Sequence, residues 1–123
     1  MMTTQEIAER LATLCREGKG KQAQDELYAD DAKSIEMEGA PGGIGNAEGM
    51  AEIREKGRKF NDDIEAMHGG TVGDPIVAGD WFALKMTMDA TFKSHGRTQM
   101  EEICVYQVKN GKIVREQFFY NVG

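Results

Sequence analysis

A glutamate, a histidine and two methionines are spaced along predicted strands so that they could share one cavity. Glu102 lies two residues before Cys104 and therefore on the same face of its strand, because side chains alternate between the two faces. The same alternation puts Met86 and Met88 roughly opposite Glu102, and His68 lies on a long strand after the third predicted helix. Carboxylates and imidazoles beside apolar side chains can act as general acids and bases, so Glu102 and His68 are candidate catalytic residues.

Other kinds of site lack their sequence signatures. The two histidines lie far from either cysteine, and no His-x-x-x-His or Cys-x-x-Cys spacing occurs, so we expect no metal site. Gly43-Ile44-Gly45 supplies the first part of a dinucleotide-binding motif, but Glu48 stands where the third glycine belongs. No Gly-x-Ser-x-Gly nucleophile motif is present. We therefore expect no cofactor and interpret the glycine-rich loop as a mobile rim over a pocket.

Two helices and a strand are predicted in the first part of the chain. Thr3 and Glu6 have the spacing of a capping box, and apolar residues at 7, 11 and 14 mark one face of a helix that ends near Gly18. A short second helix is expected over Lys21–Leu27. A strand is expected over Lys33–Glu38, which places a further carboxylate, that of Glu36, on a strand.

A glycine-rich loop and a third helix follow. Four glycines and a proline between positions 39 and 45 predict a loop, and Asn46 after it is a favourable helix cap. Apolar residues at 47, 50, 53 and 60 form one stripe of the helix, and charged residues occupy the other face. Glu52 and Lys56 lie four residues apart in the favourable order, so we expect them to pair on a solvated surface.

The second half of the chain has the pattern of an antiparallel sheet. The middle strand alternates, with apolar residues at 82, 84, 86, 88, 90 and 92 on one face. Turn sequences at Gly79-Asp80, Ser94-His95-Gly96 and Asn110-Gly111 separate the strands. We predict strands at Ile64–Val72, Ile76–Ala78, Trp81–Phe92, Thr98–Val108 and Lys112–Tyr120. Helices followed by a long meander predict an α+β fold, with the helices packed on one face of a curved sheet.

The register of the last hairpin decides which face the final aromatic residues occupy. A strict two-residue turn at Asn110-Gly111 puts Val108 opposite Ile113 and turns Phe118 towards the outer face of the sheet. A bulge in the last strand would instead bring Phe118 and Tyr120 inward. The sequence leaves both registers open.

Length and charge exclude several classes of protein. The 123 residues suffice for a single domain, 1–123, and the net charge of −6 argues against binding nucleic acid or anionic membranes. The N-terminus has no basic and apolar signal segment, and no apolar run approaches the ~18 residues of a membrane span. Cys15 and Cys104 are isolated thiols, which suits a reducing compartment. These features predict a soluble cytoplasmic protein.

Glycine and methionine are unusually frequent. Five of the fifteen glycines fall between positions 39 and 49, and the chain has eight methionines. Flexible thioether side chains suit a cavity that accepts irregular apolar ligands. We therefore expect Met86 and Met88 to line a pocket for a small, largely apolar molecule.

Two segments carry a resemblance to a known family. Tyr28-Ala29-Asp30-Asp31-Ala32-Lys33-Ser34-Ile35-Glu36 and Gly111-Lys112-Ile113-Val114-Arg115-Glu116-Gln117-Phe118-Phe119-Tyr120, in this order of elements, resemble the SnoaL-like group of the nuclear transport factor 2-like superfamily. That superfamily includes ketosteroid isomerases. The resemblance implies a cone-shaped fold, a strongly bent sheet wrapped around helices, with a pocket at its open end, and a homodimer. Its members isomerise, cyclise, dehydrate or hydrolyse small molecules, or only bind partners.

The resemblance also implies roles for particular residues. The position of the carboxylate base of ketosteroid isomerases is matched by Glu36, and the tyrosine of the same segment by Tyr28. Their acidic oxyanion donor is matched by Cys104, and the first helix lacks the tyrosine that supplies the second donor. Ketosteroid isomerisation itself is therefore not expected.

Two functions remain open. In the first, the protein is a cofactor-independent isomerase, cyclase or hydrolase that uses carboxylate acid–base chemistry on a small apolar molecule. In the second, the same cone is a non-catalytic ligand-binding or dimeric scaffold protein. The candidate catalytic residues are Glu36, Glu102 and His68, and the candidate ligand-binding residues are Tyr28, Met86, Met88, Cys104, Phe118 and Tyr120.

Overall fold

Helices occupy the first half of the chain and strands most of the second, in a computed structural model that describes residues 1–40 and 43–122. Positions 41 and 42 of the expected glycine loop lie outside the described residues. The helices are α1 (Thr4–Arg16), α2 (Gly20–Leu27) and α3 (Met50–Asp63). The strands are β1 (Tyr28–Ile35), β2 (Ala47–Glu48), β3 (Ile64–Val72), β4 (Ile76–Ala78), β5 (Trp81–Phe92), β6 (Gly96–Lys109) and β7 (Lys112–Phe119).

The strands form one curved sheet in the order β2-β1-β7-β6-β5-β3, with β4 also paired to β5. The pair β1–β7 is parallel, and the other pairs are antiparallel. The α+β fold class is confirmed. No helix within the described residues is both long and apolar enough to cross a bilayer.

The core lies between the helices and the inner face of the sheet. Ile7 and Leu14 of α1 and Leu27 of α2 are fully buried there, and the rings of Phe82 and Tyr106 stack with centroids 4.7 Å apart. The predicted capping box at the start of α1 is present, with the Thr3 side chain bonded to the backbone of Glu6 and the reverse. Burial of these apolar side chains drives the packing of the helices onto the sheet.

Two local expectations are wrong. Strand β1 begins at Tyr28 and ends at Ile35, because it pairs in parallel with β7, a long-range contact that the local pattern does not show. Helix α3 begins after Gly49, whose φ of 82° suits glycine, and not at Asn46. The Asn46 side chain instead accepts a hydrogen bond from the backbone N–H of Glu36 at 2.9 Å.

The last hairpin contains the bulge. Asn110 and Gly111 both have positive φ, as a two-residue turn of this kind requires. Gln107 pairs with Arg115 but Val108 pairs with Ile113, so Val114 is the extra residue. The even-numbered residues that follow, Glu116 and Phe118, therefore face inward.

Candidate functional site

A cavity of about 1430 Å³ opens between α3 and the inner face of the sheet. Strands β5, β6 and β7 present alternate side chains to it, because inward and outward residues alternate along each strand. Its walls are mainly apolar, and four of the eight methionines contribute to them. The apolar lining includes Ile53, Phe60, Met67, Val72, Met86, Met88, Phe92, Met100 and Phe118. This lining suits a molecule with a large apolar surface.

Glu36 lies in the cavity wall and is held by two partners. Lys56 of α3 forms an ion pair with Glu36 Oε2, and the Tyr120 hydroxyl donates to Oε1 at 2.7 Å. The Glu36 and Lys56 side chains are only 8% and 16% exposed, so the pair is largely removed from water. Lys56 Nζ also lies 5.3 Å from the centre of the Phe118 ring. The Glu36 carboxylate is thus fixed in one orientation at the cavity.

Glu116 is a second carboxyl group in the cavity wall and is largely buried. Its two oxygens accept hydrogen bonds from Tyr28 Oη and, at 2.6 Å, from Ser34 Oγ. Ser34 stands opposite Glu116 in the β1–β7 pairing, which explains the contact. Lys56 Nζ donates to Ser34 Oγ at 2.7 Å. Lys56 therefore links the two carboxyl groups, directly to Glu36 and through Ser34 to Glu116.

Burial changes the titration of this inner pair. It raises the pKa of Glu116, while the hydrogen bonds from Ser34 and Tyr28 act in the opposite direction. Burial and then the nearby Glu116 carboxylate raise the pKa of Tyr28, so its hydroxyl keeps its proton and donates a hydrogen bond to Glu116. The buried pair is stable as a phenol bonded to a carboxyl group.

Glu102 is a further largely buried carboxyl group in the cavity wall. Burial raises its pKa to about 7. The Cys104 thiol, which donates to Glu102 Oε1 at 3.5 Å, opposes this shift, and the nearby Glu36 and Glu116 carboxylates add to it. Glu102 therefore changes its protonation state close to neutral pH. Two carboxyl groups in such different surroundings are suited to separate acid and base roles.

Eight of the nine predicted site residues lie in the cavity wall or directly beside it. Glu36, Glu102, Met86, Met88, Phe118 and Tyr120 line the cavity. Tyr28 and Cys104 are buried beside it and contact Glu116 and Glu102.

His68 does not converge on the cavity with the glutamates. Its Nε2 atom lies 2.7 Å from Thr91 Oγ1, and its side chain is exposed. Met67 pairs with the inward-facing Ala90, and the register shifts between Met67 and Gly69, so His68 lies on the outer face of β3. The expected set of one histidine and two glutamates is replaced by three glutamates and a lysine.

Three residues of the site were not predicted as site residues from the sequence, namely Ser34, Lys56 and Glu116. Lys56 leaves its expected partner Glu52, which instead accepts a hydrogen bond from the Glu48 backbone. The position of Lys56, three residues after Ile53 at the border of the apolar stripe, was the available signal. Glu116 faces inward only because of the bulge. Ser34 is a small polar residue in a strand whose sequence does not show which face is buried.

Metal binding has no side-chain support in the ranges 1–40 and 43–122. No group of three or more histidine, cysteine or acidic side chains there could hold a metal ion. Glu36, Glu102 and Glu116 are instead held by hydrogen bonds and by Lys56.

Comparisons with known proteins identify the fold. The model of the SnoaL-like domain matches residues 2–120. A crystal structure from Mesorhizobium loti, provisionally described as a SnoaL-like polyketide cyclase, is 38% identical, with 97% of this chain and 100% of that chain covered and a TM-score of 0.89. Among curated protein sequences, no match is found.

Two more distant structures share the fold alone. A protein of unknown function with a cystatin-like fold from Xanthomonas campestris is 19% identical, with 97% of this chain and 91% of that chain covered and a TM-score of 0.81. A protein with a ketosteroid isomerase-like fold from Catenulispora acidiphila, in complex with trimethylamine, is 21% identical, with 97% and 88% covered and a TM-score of 0.71.

Proposed function

Because the chain belongs to the SnoaL-like family, we propose that it binds a small, largely apolar molecule in its cavity and transforms it by carboxylate acid–base chemistry. The observation that carries this proposal is the pair of glutamates on the cavity wall in unlike surroundings. Glu36 is ion-paired with Lys56, whereas Glu102 has a pKa raised to about 7. An acid and a base facing one apolar space can move a proton between two positions of one substrate.

In this proposal Glu36 is the base and Glu102 the acid. Glu36 takes a proton from a carbon next to a carbonyl group, and the electrons of that C–H bond move towards the carbonyl oxygen. Glu102, protonated below about pH 7, donates a hydrogen bond or a proton to the developing negative charge. Lys56 and Tyr120 position the Glu36 carboxylate. Return of the proton to another carbon gives isomerisation, and attack of the new enolate on a second carbonyl gives ring closure.

The test uses 2-tetralone, a neutral apolar ketone with acidic C–H bonds, as the probe. Loss of its α-proton signals in D2O, followed by proton NMR, measures proton abstraction. We expect Glu36→Gln to lower the rate by about 10²-fold or more, and Glu102→Gln to remove the change in rate near neutral pH. Glu101→Gln is the matched control, because Glu101 is the exposed neighbour of Glu102 and pairs with Lys85 on the outer face. Exchange no faster than in buffer, without binding of the probe, would contradict the proposal.

A second candidate function is binding without chemistry. It is supported by the fact that both Glu36 oxygens have protein partners, Lys56 and Tyr120. In that case 2-tetralone would raise the melting temperature of the protein while its α-protons exchange at the buffer rate. The same Glu36→Gln variant would then bind the probe as well as the wild type does.

Partners and location belong to the same proposal. The outer face of the sheet exposes Trp81, Ile103 and Phe119, which supports a homodimer formed through this face. The two free cysteines support a cytoplasmic location, because free thiols persist in reducing compartments.

A further inference from the structure

The buried carboxyl group of Glu116 has no role in the acid–base chemistry proposed for Glu36 and Glu102. Glu116 is only 5% exposed, and within residues 1–40 and 43–122 its direct partners are two hydroxyl groups and no cation. A buried carboxylate is costly unless it is paired or hydrogen-bonded, and a glutamine or an apolar residue would avoid that cost. The Glu116 carboxyl group therefore needs an explanation beyond packing.

A continuous hydrogen-bonded chain joins Glu116 to Glu36. Ser34 Oγ donates to Glu116 Oε2 at 2.6 Å and accepts from Lys56 Nζ at 2.7 Å. Lys56 Nζ also contacts Glu36 Oε2. Each intermediate group is both a donor and an acceptor along this path, or can become one by losing a proton, as a proton-conducting chain requires.

The surroundings of Glu116 permit it to gain and lose a proton. Burial raises its pKa, and two hydrogen bonds lower it. The neighbouring thiols and phenols stay neutral at pH 7, because burial raises the pKa of each: Cys15, Tyr28, Cys104 and Tyr106. The charged groups that act on Glu116 are therefore Lys56, which favours the carboxylate, and Glu36 and Glu102, which disfavour it.

We propose that Lys56 and Ser34 conduct a proton between Glu36 at the cavity and Glu116, which serves as a buried proton store. This proposal rests on the acid–base function proposed for Glu36. After Glu36 has taken a proton, the Ser34 O–H proton moves to the Glu116 carboxylate, and a Lys56 N–H proton replaces it on Ser34. The Glu36 proton then moves to Lys56. One O–H bond on Glu36 is broken and one on Glu116 is formed, and the negative charge returns to Glu36.

The store gives the site a second proton-accepting position that is shielded from water. Glu36 becomes a base again without releasing the first proton to solvent. A substrate that must lose protons from two carbons in turn, as in a ring closure followed by loss of water, would use this capacity. The proposal therefore points to a substrate with two acidic C–H positions.

The test measures proton exchange of Glu116 in the free protein and needs no substrate. Protonated carboxyl groups have an infrared carbonyl band that shifts when hydrogen is replaced by deuterium. The Glu116 band is identified as the one that Glu116→Gln removes, in a Glu102→Gln background that eliminates the other titrating cavity acid. Rapid transfer to D2O then gives its exchange rate.

Two variants distinguish a conducting path from a structural role. Ser34→Ala and Tyr28→Phe each remove one hydroxyl group bonded to Glu116, but only Ser34 lies between Glu116 and Lys56. We expect Ser34→Ala to slow exchange by about 10²-fold, within the range for positioned proton-transfer groups, and Tyr28→Phe to exchange like the wild type. Equal effects of the two substitutions would overturn the proposal.

A second variant and the infrared band itself also test the proposal. If Ser34→Ala does not fold, the double variant Lys56→Met, Glu36→Gln interrupts the path without leaving a buried unpaired charge, and Lys59→Met on the same helix is its control. Absence of a Glu116 band between about pH 5 and 9 would show that Glu116 takes no proton and would overturn the store. Because no substrate is used, failure of 2-tetralone exchange would contradict only the acid–base function.

Discussion

Glu102 couples the protonation of the cavity to the stability of the fold. Burial raises its pKa from 4.5 to about 7, so the folded chain binds this proton more tightly than the unfolded chain does. Its contribution to stability is therefore fully present below about pH 4.5 and is lost as pH rises through about 7. The full shift corresponds to about 3 kcal/mol.

Glu102→Gln should therefore flatten the pH dependence of stability. A neutral amide does not have to release a proton, so we expect the variant to be more stable than the wild type above pH 7, by up to about 3 kcal/mol. Urea unfolding at pH 5 and pH 8 measures the difference, with Glu101→Gln as the control. Parallel pH profiles for Glu102→Gln and the wild type would show that Glu102 does not carry this shift.

Lys56 should be needed for stability mainly because of Glu36. Lys56→Met leaves a buried carboxylate without its cation, which costs about 3 kcal/mol or more. The double variant Lys56→Met, Glu36→Gln removes both charges and should recover much of that loss. Equilibrium unfolding of the four proteins in this cycle gives the coupling energy. A double variant whose loss equals the sum of the two single losses would contradict the pairing.

At the residue scale, the sequence predicted the cavity-facing side chains better than their partners. Glu102, Met86 and Met88 follow from strict alternation along β5 and β6, which the structure retains. The partners of Lys56 and Ser34 come from distant parts of the chain, and the only local signal was the position of Lys56 at the border of the apolar stripe of α3. His68 was misplaced because one irregularity in the β3–β5 pairing reverses the face of a side chain.

At the scale of elements, the bulge in β7 determines which side chains reach the cavity. Val114 is the extra residue. If Val114 were paired in the ladder instead of bulged, strict alternation from Ile113 would turn Glu116 and Phe118 outward. The turn at Asn110-Gly111 fixes only the first pairs of the hairpin. The hairpin could therefore be predicted from the sequence, but the register of β7 after Val114 could not.

Two single-residue deletions test this account. Deleting Val114 removes the bulge but keeps Glu116 and Phe118 facing inward, so we expect a folded protein that still binds 2-tetralone. Deleting Gln117 forces either Phe118 outward or Arg115 into the core, and should cost at least about 3 kcal/mol. Thermal unfolding and probe binding of both variants measure the contrast. Similar losses in the two deletions would contradict the assigned register.

Elements with strong local patterns were predicted with their correct bounds. Strands β3, β4 and β5 begin and end as expected, because alternation and turn residues act together there. Strand β1 has exposed acidic residues at 30 and 31 and exists through its pairing with β7. Asn46 has a good capping side chain, but its oxygen binds the Glu36 backbone and helps to fix that residue at the cavity.

At the scale of the molecule, the two faces of the sheet present different side chains. Even-numbered residues of β5, β6 and the end of β7 face the core and cavity, and odd-numbered residues face outward. Ile103 and Phe119, 53% and 41% exposed, are paired neighbours on the outer face, and Trp81 lies on the same face. Lys85 and Glu101 form an ion pair beside them, so the face carries both signs of charge and can meet an identical copy without net repulsion.

A homodimer through this face should therefore be disrupted by a single lysine. We expect Ile103→Lys, and separately Phe119→Lys, to shift the protein from dimer to monomer, because an apolar patch at a two-fold interface would bury the new charge twice. Size-exclusion chromatography with light scattering gives the mass of each variant. Met2→Lys adds the same charge to an exposed apolar residue outside the sheet and is the control. A wild-type monomer, or lysine variants that remain dimers, would show that copies do not associate through the outer face.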